Sequence, residues 1–454
     1  MNVLFINCVL SNTGDAAIFQ AAAAVMRRAW GPDTKFVAQD DHAQRVASLY
    51  PDVSVRSSCY WSLVYTELLG WRGRLVLRLR FWRFSFGRWL TRRGLDALAT
   101  GVLSEAERDY LDAYRWADVV VATGGTYLVE KYDLGQRIFD MQTALAMNRP
   151  LLLFTQSLGP FHLHTNRRKL GRIFRESLLI LLRDLRSQAH LRELGIPAEV
   201  LRVTPDAAFA LADDDLSGRP ISSFQFAKPR RRVAISVRRW DHFDGSSAQE
   251  GMQRYCNAFA GLATHLVKKY DAEVTFLSTC QGAPGYHDDS HVAATIWAAL
   301  PDDIRDRVRV DGDFHTPGEL LELLRDFDWV VATRMHLAIL TLGVGTPVLP
   351  IAYEFKTTEL FKSLHHDFEP PAIEDLTPDS LVEAFERSVE SYGNVAQLLH
   401  EAVDRCRQEA WDVADVLRAR LPEFARAADD DNGHRAAPRT AAVLNGLDSD
   451  LPRA

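Results

Sequence analysis

Short apolar runs alternate with longer segments of helical period along most of this 454-residue chain. Such runs are typical of strands buried on both faces, and the segments between them are long enough for helices that cover a parallel sheet. We expect an α/β protein with two doubly wound, Rossmann-like domains that face a cleft, where ligands lie beyond the carboxyl ends of strands. Eleven runs predict strands, at 3–8, 35–38, 119–122, 151–155, 179–183, 200–203, 233–237, 273–278, 307–310, 329–332 and 348–351.

A polar, turn-rich segment, ADDDLSGRPISSFQFAKPRRR, separates the strands into two groups. We predict an N-terminal domain over residues 1–211, a linker over 212–230 and a C-terminal domain over 231–396. An amphipathic segment predicts a C-terminal helix over 397–426. Residues 427–454 lose aromatic side chains and collect aspartate and proline, which is typical of a disordered tail.

The composition disfavours several classes of protein. A formal net charge of -7 argues against a dedicated nucleic-acid binder. The five cysteines are scattered without a CxxC pair, and no His and Cys spacing indicates a metal site, so we expect reduced thiols and no metal. The first residues lack the pattern of a secretory signal, and no apolar run reaches the roughly 20 residues that span a bilayer. We expect a cytoplasmic protein, peripheral at most at the inner face of the membrane.

The segment 71–93, WRGRLVLRLRFWRFSFGRWLTRR, combines eight arginines with six aromatic residues and has no acidic residue. An anionic membrane surface would suit such a segment, because basic amphipathic helices with Trp and Phe lie at the headgroup boundary. A solvated arginine face on a packed helix explains the pattern equally well. Nucleic acid is a third partner for arginines and aromatic rings, but the acidic remainder of the chain disfavours it.

Polar turns follow three strands of the first half. A turn of this kind is often only a strand-to-helix connection, but helix N-termini also bind phosphates and hydroxyls. Because the three turns follow strands of one predicted domain, we expect them to meet at one edge of its sheet and form a pocket. The candidate residues are Asn12, Gly14 and Asp15 in NTGD, Gly124 and Gly125 in ATGG, and Gln156 in TQSLGP.

The second half places cations after its strands. Arg238 follows one strand, Arg334 and His336 interrupt the apolar run VVATRMHLAIL, and Lys356 follows the next strand. Arginine binds carboxylate and phosphate oxygens in bidentate fashion and lysine adds a point charge, so the set predicts a small substrate with several negative charges. Histidine adds proton transfer, since its ordinary pKa is about 6.5.

Taken together, the motifs resemble the polysaccharide pyruvyl transferase family. They occur in the order NTGDAAI, ATGGTYL, QSLGP, LLRDLRS, TPDAAFAL, ISVR, TRMHLAIL and GVGTPVLPIAYEFK, over about residues 7–364. The chain departs from the family pattern at Thr123, where a third glycine is common. The resemblance implies a GT-B-like fold and transfer of a pyruvyl group from phosphoenolpyruvate to two sugar hydroxyls, which forms a cyclic ketal and releases phosphate.

By the same resemblance, Arg238, Arg334 and His336 would contact phosphoenolpyruvate in the C-terminal domain, with Lys356 as a further contact. We expect His336 to be the catalytic acid and Arg334 to stabilise charge during transfer. The N-terminal turns would bind the acceptor, a glycan or a lipid-linked saccharide. No cofactor is expected, since phosphoenolpyruvate is a co-substrate.

Two other functions fit the same pattern. A nucleotide-sugar glycosyltransferase of GT-B architecture would use a cleft and basic residues for a diphosphate. A non-catalytic scaffold in envelope polysaccharide synthesis would keep the fold without the reaction, although the presence of Arg334, His336 and Lys356 together disfavours it.

Overall fold

The computed structural model describes residues 1–218, 231–280, 287–365 and 368–432, with side chains up to residue 421. It divides into two compact units. The first contains Met1–Val9, Ala23–Thr204 and the chain from Asp412, and the second contains Leu10–Ala22 and Pro205–Trp411. The predicted linker 212–230 lies outside the described residues from 219 onward, and so does the predicted tail beyond residue 432.

The first unit is built on a parallel sheet with the hydrogen-bonded order β3-β2-β1-β4-β6-β7-β8, in which β5 also pairs with β6. The central strands are buried along nearly their whole length, which explains why they are continuous apolar runs in the sequence. The strands are β1 Asn2–Cys8, β2 Lys35–Asp40, β3 Ser54–Arg56, β4 Val119–Ala122, β5 Gly125–Leu128, β6 Leu151–Leu158, β7 Leu179–Leu182 and β8 Leu201–Val203.

The second unit repeats this topology with five parallel strands in the order β11-β10-β9-β12-β13. The chain runs outward from β9 to β11 and returns to the other side of β9 as β12, so the strand order reverses between β9 and β12. This is the switch point at which doubly wound sheets bind ligands. The strands are β9 Arg231–Ser236, β10 Ala272–Leu277, β11 Val308–Asp311, β12 Trp329–Ala332 and β13 Val348–Pro350.

Sixteen α-helices and three short 3₁₀ helices connect these strands within the described residues. Several begin with a Ser or Thr capping box, as at Ser104, Ser247 and Thr316, where side chains satisfy the first free N–H groups. The α-helices are α1 Thr13–Trp30, α2 Ala43–Leu49, α3 Tyr60–Val64, α4 Gly70–Arg92, α5 Asp96–Val102, α6 Glu105–Trp116, α7 Gly135–Ala146, α8 His164–Glu176, α9 Leu185–Glu193, α10 Ala248–Tyr270, α11 Asp289–Ala298, α12 Asp302–Arg305, α13 Pro317–Arg325, α14 Met335–Gly343, α15 Phe355–Leu364 and α16 Pro378–Asn432. The 3₁₀ helices are Ala198–Val200, Ala207–Leu211 and Ile373–Asp375.

A dense aromatic core holds the sheet of the second unit. Trp329 at the start of β12 is fully buried, and its ring packs edge-on against Phe385 and Tyr392 of α16, with ring centroids 5.7 and 5.3 Å away. Aromatic pairs of this geometry add to the stabilisation from apolar burial. Since close-packed cores leave little freedom, the start of β12 is held in a defined position.

The α/β class and the doubly wound sheets are confirmed, and each of the eleven predicted runs contributes to a strand. Two short strands, β3 and β5, escaped prediction because SVR and GTYL are too short and too polar to read as core. The C-terminal helix differs more, since α16 begins at Pro378 rather than at residue 397 and continues past residue 426 to Asn432. No helix in the described part of the chain is long and apolar enough to cross a membrane.

Candidate functional site

Two arginines follow the two central strands of the second unit. Ser236 at the end of β9 pairs in register with Ala332 at the end of β12, and each strand is followed two residues later by an arginine, Arg238 or Arg334. The main-chain N–H of Arg334 donates to Ser236 Oγ at 3.3 Å, which ties the two strand ends together. Both arginines therefore lie at the carboxyl edge of the sheet, on the two strands that flank the switch point.

A buried carboxylate orients Arg334. The guanidinium donates from Nε to Asp289 Oδ2 at 2.9 Å and from Nη2 to Asp289 Oδ1, so the contact is bidentate. The side chain of Asp289 is 1% exposed and that of Arg334 is 16% exposed. Burial lowers the pKa of Arg334, but the negative charge of Asp289 raises it by more. The pKa of Arg334 therefore lies above the usual value for arginine. Arg334 is therefore a fixed positive charge with one open edge.

His336 is the second residue of α14 and lies between a carboxylate and a glycine. Its Nε2 is 3.5 Å from Asp206 Oδ2, and Asp206 also caps a 3₁₀ helix by accepting from the N–H of Ala208 at 2.9 Å. On another side, a Cβ built on Gly14 would lie 2.7 Å from His336 Nδ1 and 2.8 Å from His336 Cβ. Only glycine fits at position 14, because any side chain there would displace the imidazole.

The NTGD turn belongs to the second unit, not to the sheet from which it emerges. The N–H of Thr13 donates to Thr279 O at 3.0 Å, Thr13 Oγ1 donates to His315 O at 2.8 Å, and Asn12 forms a β-bridge with Cys280. The structure therefore groups this turn with the second unit, whereas the sequence placed it with the other two turns in the N-terminal domain 1–211. Turn chemistry is local, so NTGD predicted a turn but not the sheet against which it packs.

Two cations lie close to the ring of Tyr353. The Arg238 guanidinium lies 4.0 Å from the centre of its ring and 5.1 Å from that of Trp240, and Lys356 Nζ lies 5.0 Å from the Tyr353 ring centre. Burial raises the pKa of Tyr353. Lys356, Arg238 and Arg334 lower it by more, so its pKa lies below the ordinary value of tyrosine. This shift indicates a positive potential around the phenol.

The remaining charges of the cluster are partly balanced within the second unit. Lys356 Nζ is 2.9 Å from Glu354 Oε2, and both side chains are about 15% exposed. Burial raises the pKa of the Cys280 thiol to about 11. The charge of Arg334 lowers this pKa and the charge of Asp15 raises it. Asp15 in the first turn of α1 is therefore close enough to this cluster to act on the same groups electrostatically.

The geometry of the second unit favours a small ligand with at least two negative groups. Arg238, Arg334 and Lys356 are held by aromatic rings or carboxylates before any ligand arrives, so little side-chain ordering remains on binding. His336 places a group able to carry a proton beside them. Among the described residues, no group of three or more His, Cys, Asp or Glu side chains could hold a metal ion.

The other predicted residues lie together in the first unit. Gln156 is fully buried within β6 rather than in a turn, and its Nε2 donates to Thr123 O and to Tyr127 Oη at 2.9 Å. Gly124 and Gly125 follow Thr123, and Gly125 opens β5 with a φ of +152°. These three residues line one buried polar cluster, while Asn12, Gly14 and Asp15 belong to the second unit.

Sequence reasoning assigned no role to Asp289 or Tyr353. Asp289 follows a segment without apolar periodicity, so its contact with Arg334 leaves no signal in the sequence. Asp206 caps a 3₁₀ helix, and its second contact, with His336, depends on the packing of α14.

His315, whose main-chain oxygen accepts from Thr13 in the NTGD turn, also pairs through its side chain with Asp311. The contribution of this pair to stability depends on pH. His315 Nε2 lies 3.2 Å from Asp311 Oδ1, and this contact raises the pKa of His315 and lowers that of Asp311. The contribution to stability is complete between the unfolded pKa values of Asp and His, and is lost as pH rises through the raised pKa of His315 or falls through the lowered pKa of Asp311.

We expect His315→Gln to lower the free energy of unfolding by about 1 kcal/mol near pH 6 and by less at alkaline pH. Denaturant unfolding across this range measures the difference, with the exposed His291→Gln as the matched control. The variant keeps the main-chain carbonyl that accepts from Thr13. A difference that stays constant with pH would contradict the assignment of the pair.

Comparison with known proteins adds sequence similarity to this geometry. A family model described as polysaccharide pyruvyl transferase matches residues 12–354. The matched span includes Arg238, Arg334 and His336 and ends two residues before Lys356. The amylovoran biosynthesis protein AmsJ of Erwinia amylovora is 26% identical over 336 residues, which cover 72% of this chain and 79% of that protein.

Solved structures share the fold at low sequence identity. A putative UDP-N-acetylglucosamine 2-epimerase from Listeria monocytogenes has a TM-score of 0.56 at 12% identity, covering 93% of this chain and 97% of that one. The UDP-GlcNAc 2-epimerase from Neisseria meningitidis bound to UDP-GlcNAc has a TM-score of 0.54 at 14% identity, with 92% and 99% covered. HepE from Anabaena in complex with UDP-glucose has a TM-score of 0.51 at 14% identity, with 94% and 100% covered. These likenesses confirm the predicted GT-B-like class of two Rossmann-like units.

Proposed function

The chain belongs to the polysaccharide pyruvyl transferase family, and we propose that it transfers a pyruvyl group from phosphoenolpyruvate to two hydroxyls of a saccharide acceptor. The product is a cyclic ketal, and inorganic phosphate is released. The observation that carries this proposal is the group Arg238, Arg334 and Lys356 at the carboxyl edge of the second sheet, beside His336. A carboxylate and a phosphate on one small donor match these cations better than a neutral sugar does.

Two arginines and a lysine would bind the donor. Arg334 has one edge occupied by Asp289 and offers the other to an oxygen of the carboxylate or the phosphate. Arg238 stacks on Tyr353 and donates from Nε to Arg239 O at 3.2 Å, so its terminal Nη groups would bind a ligand at the same edge. These fixed charges would also stabilise negative charge on the departing phosphate, and they need no reorganisation during the reaction.

His336 would supply the proton that starts the reaction. Protonation of the methylene carbon of phosphoenolpyruvate gives a methyl group and leaves C2 electrophilic. A sugar hydroxyl then attacks C2, the bond from C2 to the phosphate oxygen breaks, and the second hydroxyl closes the ring. One hydroxyl proton replaces the proton delivered to carbon, and the other leaves with the phosphate.

Asp206 and Gly14 would position His336 rather than react. Asp206 faces Nε2 at 3.5 Å, which is longer than an ordinary hydrogen bond. Gly14 packs on the opposite part of the ring. Asp15 follows Gly14 and lies in the first turn of α1, in the same unit. We assign to Asp15 the role of the base that accepts a proton from the attacking hydroxyl.

The acceptor would be a glycan or a lipid-linked saccharide. The test is to incubate the protein with phosphoenolpyruvate and glycans that end in galactose, glucose or mannose, and to measure phosphate and the mass of each glycan. We expect phosphate release that depends on an acceptor. If the protein consumes a nucleotide sugar and transfers no pyruvyl group to any glycan, the result would instead support a glycosyltransferase.

Gly14→Ala is expected to lower turnover by about 10²-fold, since a displacement of about 1 Å at a reacting group costs roughly this factor. The added Cβ would meet His336 Nδ1 and Cβ below 3 Å, so the imidazole must move. Steady-state kinetics measure the loss, with Gly318→Ala as the control because a Cβ at Gly318 meets nothing within 4 Å. Turnover equal to that of the unsubstituted protein would show that the position of His336 is unimportant.

A further inference from the structure

The basic segment 71–93 forms helix α4 of the first unit, and this helix has one face fully packed and one face open. Phe84 packs against Tyr110 and Phe139, with ring centroids 6.2 and 5.4 Å away. A Cβ on Gly87 would meet Leu103 at 2.3 Å, so the helix touches its neighbour closely. The helix is therefore firmly attached to the first unit through this buried face.

A stripe of large apolar side chains runs along the opposite face of α4. Its members follow each other at spacings of three and four residues, which places them on one side of a helix. Trp71 is 65% exposed, Leu79 is 56% exposed and Trp82 is 55% exposed. The exposed stripe consists of Trp71, Leu75, Leu79, Trp82, Phe86 and Trp89.

The exposed apolar residues of the protein are concentrated around this helix. Of 18 large hydrophobic residues that are exposed among the described residues, 12 lie between Trp61 and Leu98. Rings in the stripe also stack on each other, as Phe86 does on Trp82 at 5.9 Å and on Trp89 at 6.0 Å between centroids. An apolar patch of this extent on one helix indicates a surface that another apolar phase covers.

Arginines lie on both sides of the stripe. At 100° per residue, Arg72 falls on one flank, while Arg74, Arg78 and Arg92 fall on the other, and all four are exposed. Other arginines of the segment serve the fold, as Arg83 does by pairing with Glu107. The exposed face of α4 therefore presents an apolar strip with one exposed arginine on one flank and three on the other.

We propose that α4 lies in the plane of an anionic membrane surface, with the stripe in the acyl boundary and the flanking arginines on lipid phosphates. A helix of 23 residues is about 35 Å long, so it would lie along the surface. A second copy of the chain fits less well, because two such helices would bring the exposed arginines of their flanks together. Nucleic acid would pair with the arginines but would not cover Leu75 and Leu79.

The test is flotation of the full chain with vesicles of equal parts phosphatidylcholine and phosphatidylglycerol, compared with vesicles of phosphatidylcholine alone. We expect binding to the first and little to the second. The triple variant Arg72→Gln, Arg74→Gln, Arg78→Gln should weaken binding by about 10²-fold, because each arginine near an anionic surface contributes several-fold. The variant Trp82→Ser, Phe86→Ser, Trp89→Ser should also lose binding.

Matched controls separate the surface from general charge and apolarity. Arg56→Gln, Arg192→Gln, Arg202→Gln removes three exposed arginines elsewhere in the first unit and should bind vesicles normally. Leu163→Ser, Leu185→Ser, Leu398→Ser removes exposed apolar residues outside the patch and should also bind. Each variant should keep its transferase activity on a soluble acceptor, since α4 takes no part in the donor site.

Three outcomes would overturn the proposal. One is absence of binding to the phosphatidylglycerol vesicles, and another is equal loss of binding in the control variants. The third is self-association without vesicles that the Trp82, Phe86 and Trp89 substitutions abolish, as measured by light scattering. That result would assign the stripe to a second copy of the chain. Failure of vesicle binding leaves the transferase proposal intact, because that proposal is measured by phosphate release.

Discussion

Replacing His336 with glutamine is expected to lower acceptor-dependent phosphate release about 10²–10⁴-fold, the usual contribution of a positioned proton donor. The imidazole lies against Gly14 and faces Asp206 at 3.5 Å, so these two residues define the position of the ring. Glutamine keeps hydrogen-bonding capacity and approximate size, and it lacks the ability to transfer a proton near neutral pH. Donor affinity should stay nearly unchanged, because three cations remain in place.

Two measurements separate proton transfer from binding. Isothermal titration with phosphoenolpyruvate gives the donor affinity, and single-turnover phosphate release gives the chemical step. His291→Gln is the matched control, since His291 is exposed and lies outside the cluster. Full turnover in His336→Gln with normal affinity would assign the acid to another residue.

Replacing Arg334 with alanine is expected to abolish measurable donor binding and to lower the free energy of unfolding by about 3–5 kcal/mol. The second effect arises because Asp289, with 1% of its side chain exposed, would remain as a buried carboxylate without its cation. The double variant Arg334→Ala, Asp289→Ala removes both charges and should recover most of the lost stability. It should not recover donor binding.

This pair of variants distinguishes a structural ion pair from a donor site held by an ion pair. Thermal or denaturant unfolding measures stability, and titration with phosphoenolpyruvate measures binding. The exposed Arg192→Ala serves as the control for loss of an arginine. If the double variant bound phosphoenolpyruvate as tightly as the unsubstituted chain, Arg334 would be structural only.

The strands were predictable because parallel sheets bury both faces, and burial leaves continuous apolar runs in the sequence. Arg238, Arg334 and Lys356 were predictable as a group for a related reason. The end of each run marks the carboxyl edge of the sheet, so cations that follow neighbouring strands must lie at one edge.

Contacts between elements distant in sequence could not be predicted. The NTGD turn follows a strand of the first sheet, yet Gly14 packs on His336 in the second unit. Asp289 precedes Arg334 by 45 residues and carries no motif. Local chemistry specifies a turn or a cap, whereas the partner across space depends on how the helices pack.

The role of the basic segment 71–93 was only partly predictable from the sequence. Its composition left a membrane surface and a solvated helix face open, because both need arginines on the outside. Only the packing of α4 separates a buried face around Phe84 from an exposed stripe around Trp82.

Pyruvyl transfer is tested most directly with phosphoenolpyruvate labelled with ¹³C at its methylene carbon. The reaction is carried out in deuterated water, and the acceptor is analysed by mass after the reaction. We expect a glycan whose mass rises by that of pyruvic acid less one water, with a ¹³C-labelled methyl group that carries one deuterium, and one phosphate released for each ketal formed. A glycan without the label, or phosphate released equally with and without an acceptor, would contradict pyruvyl transfer by this protein.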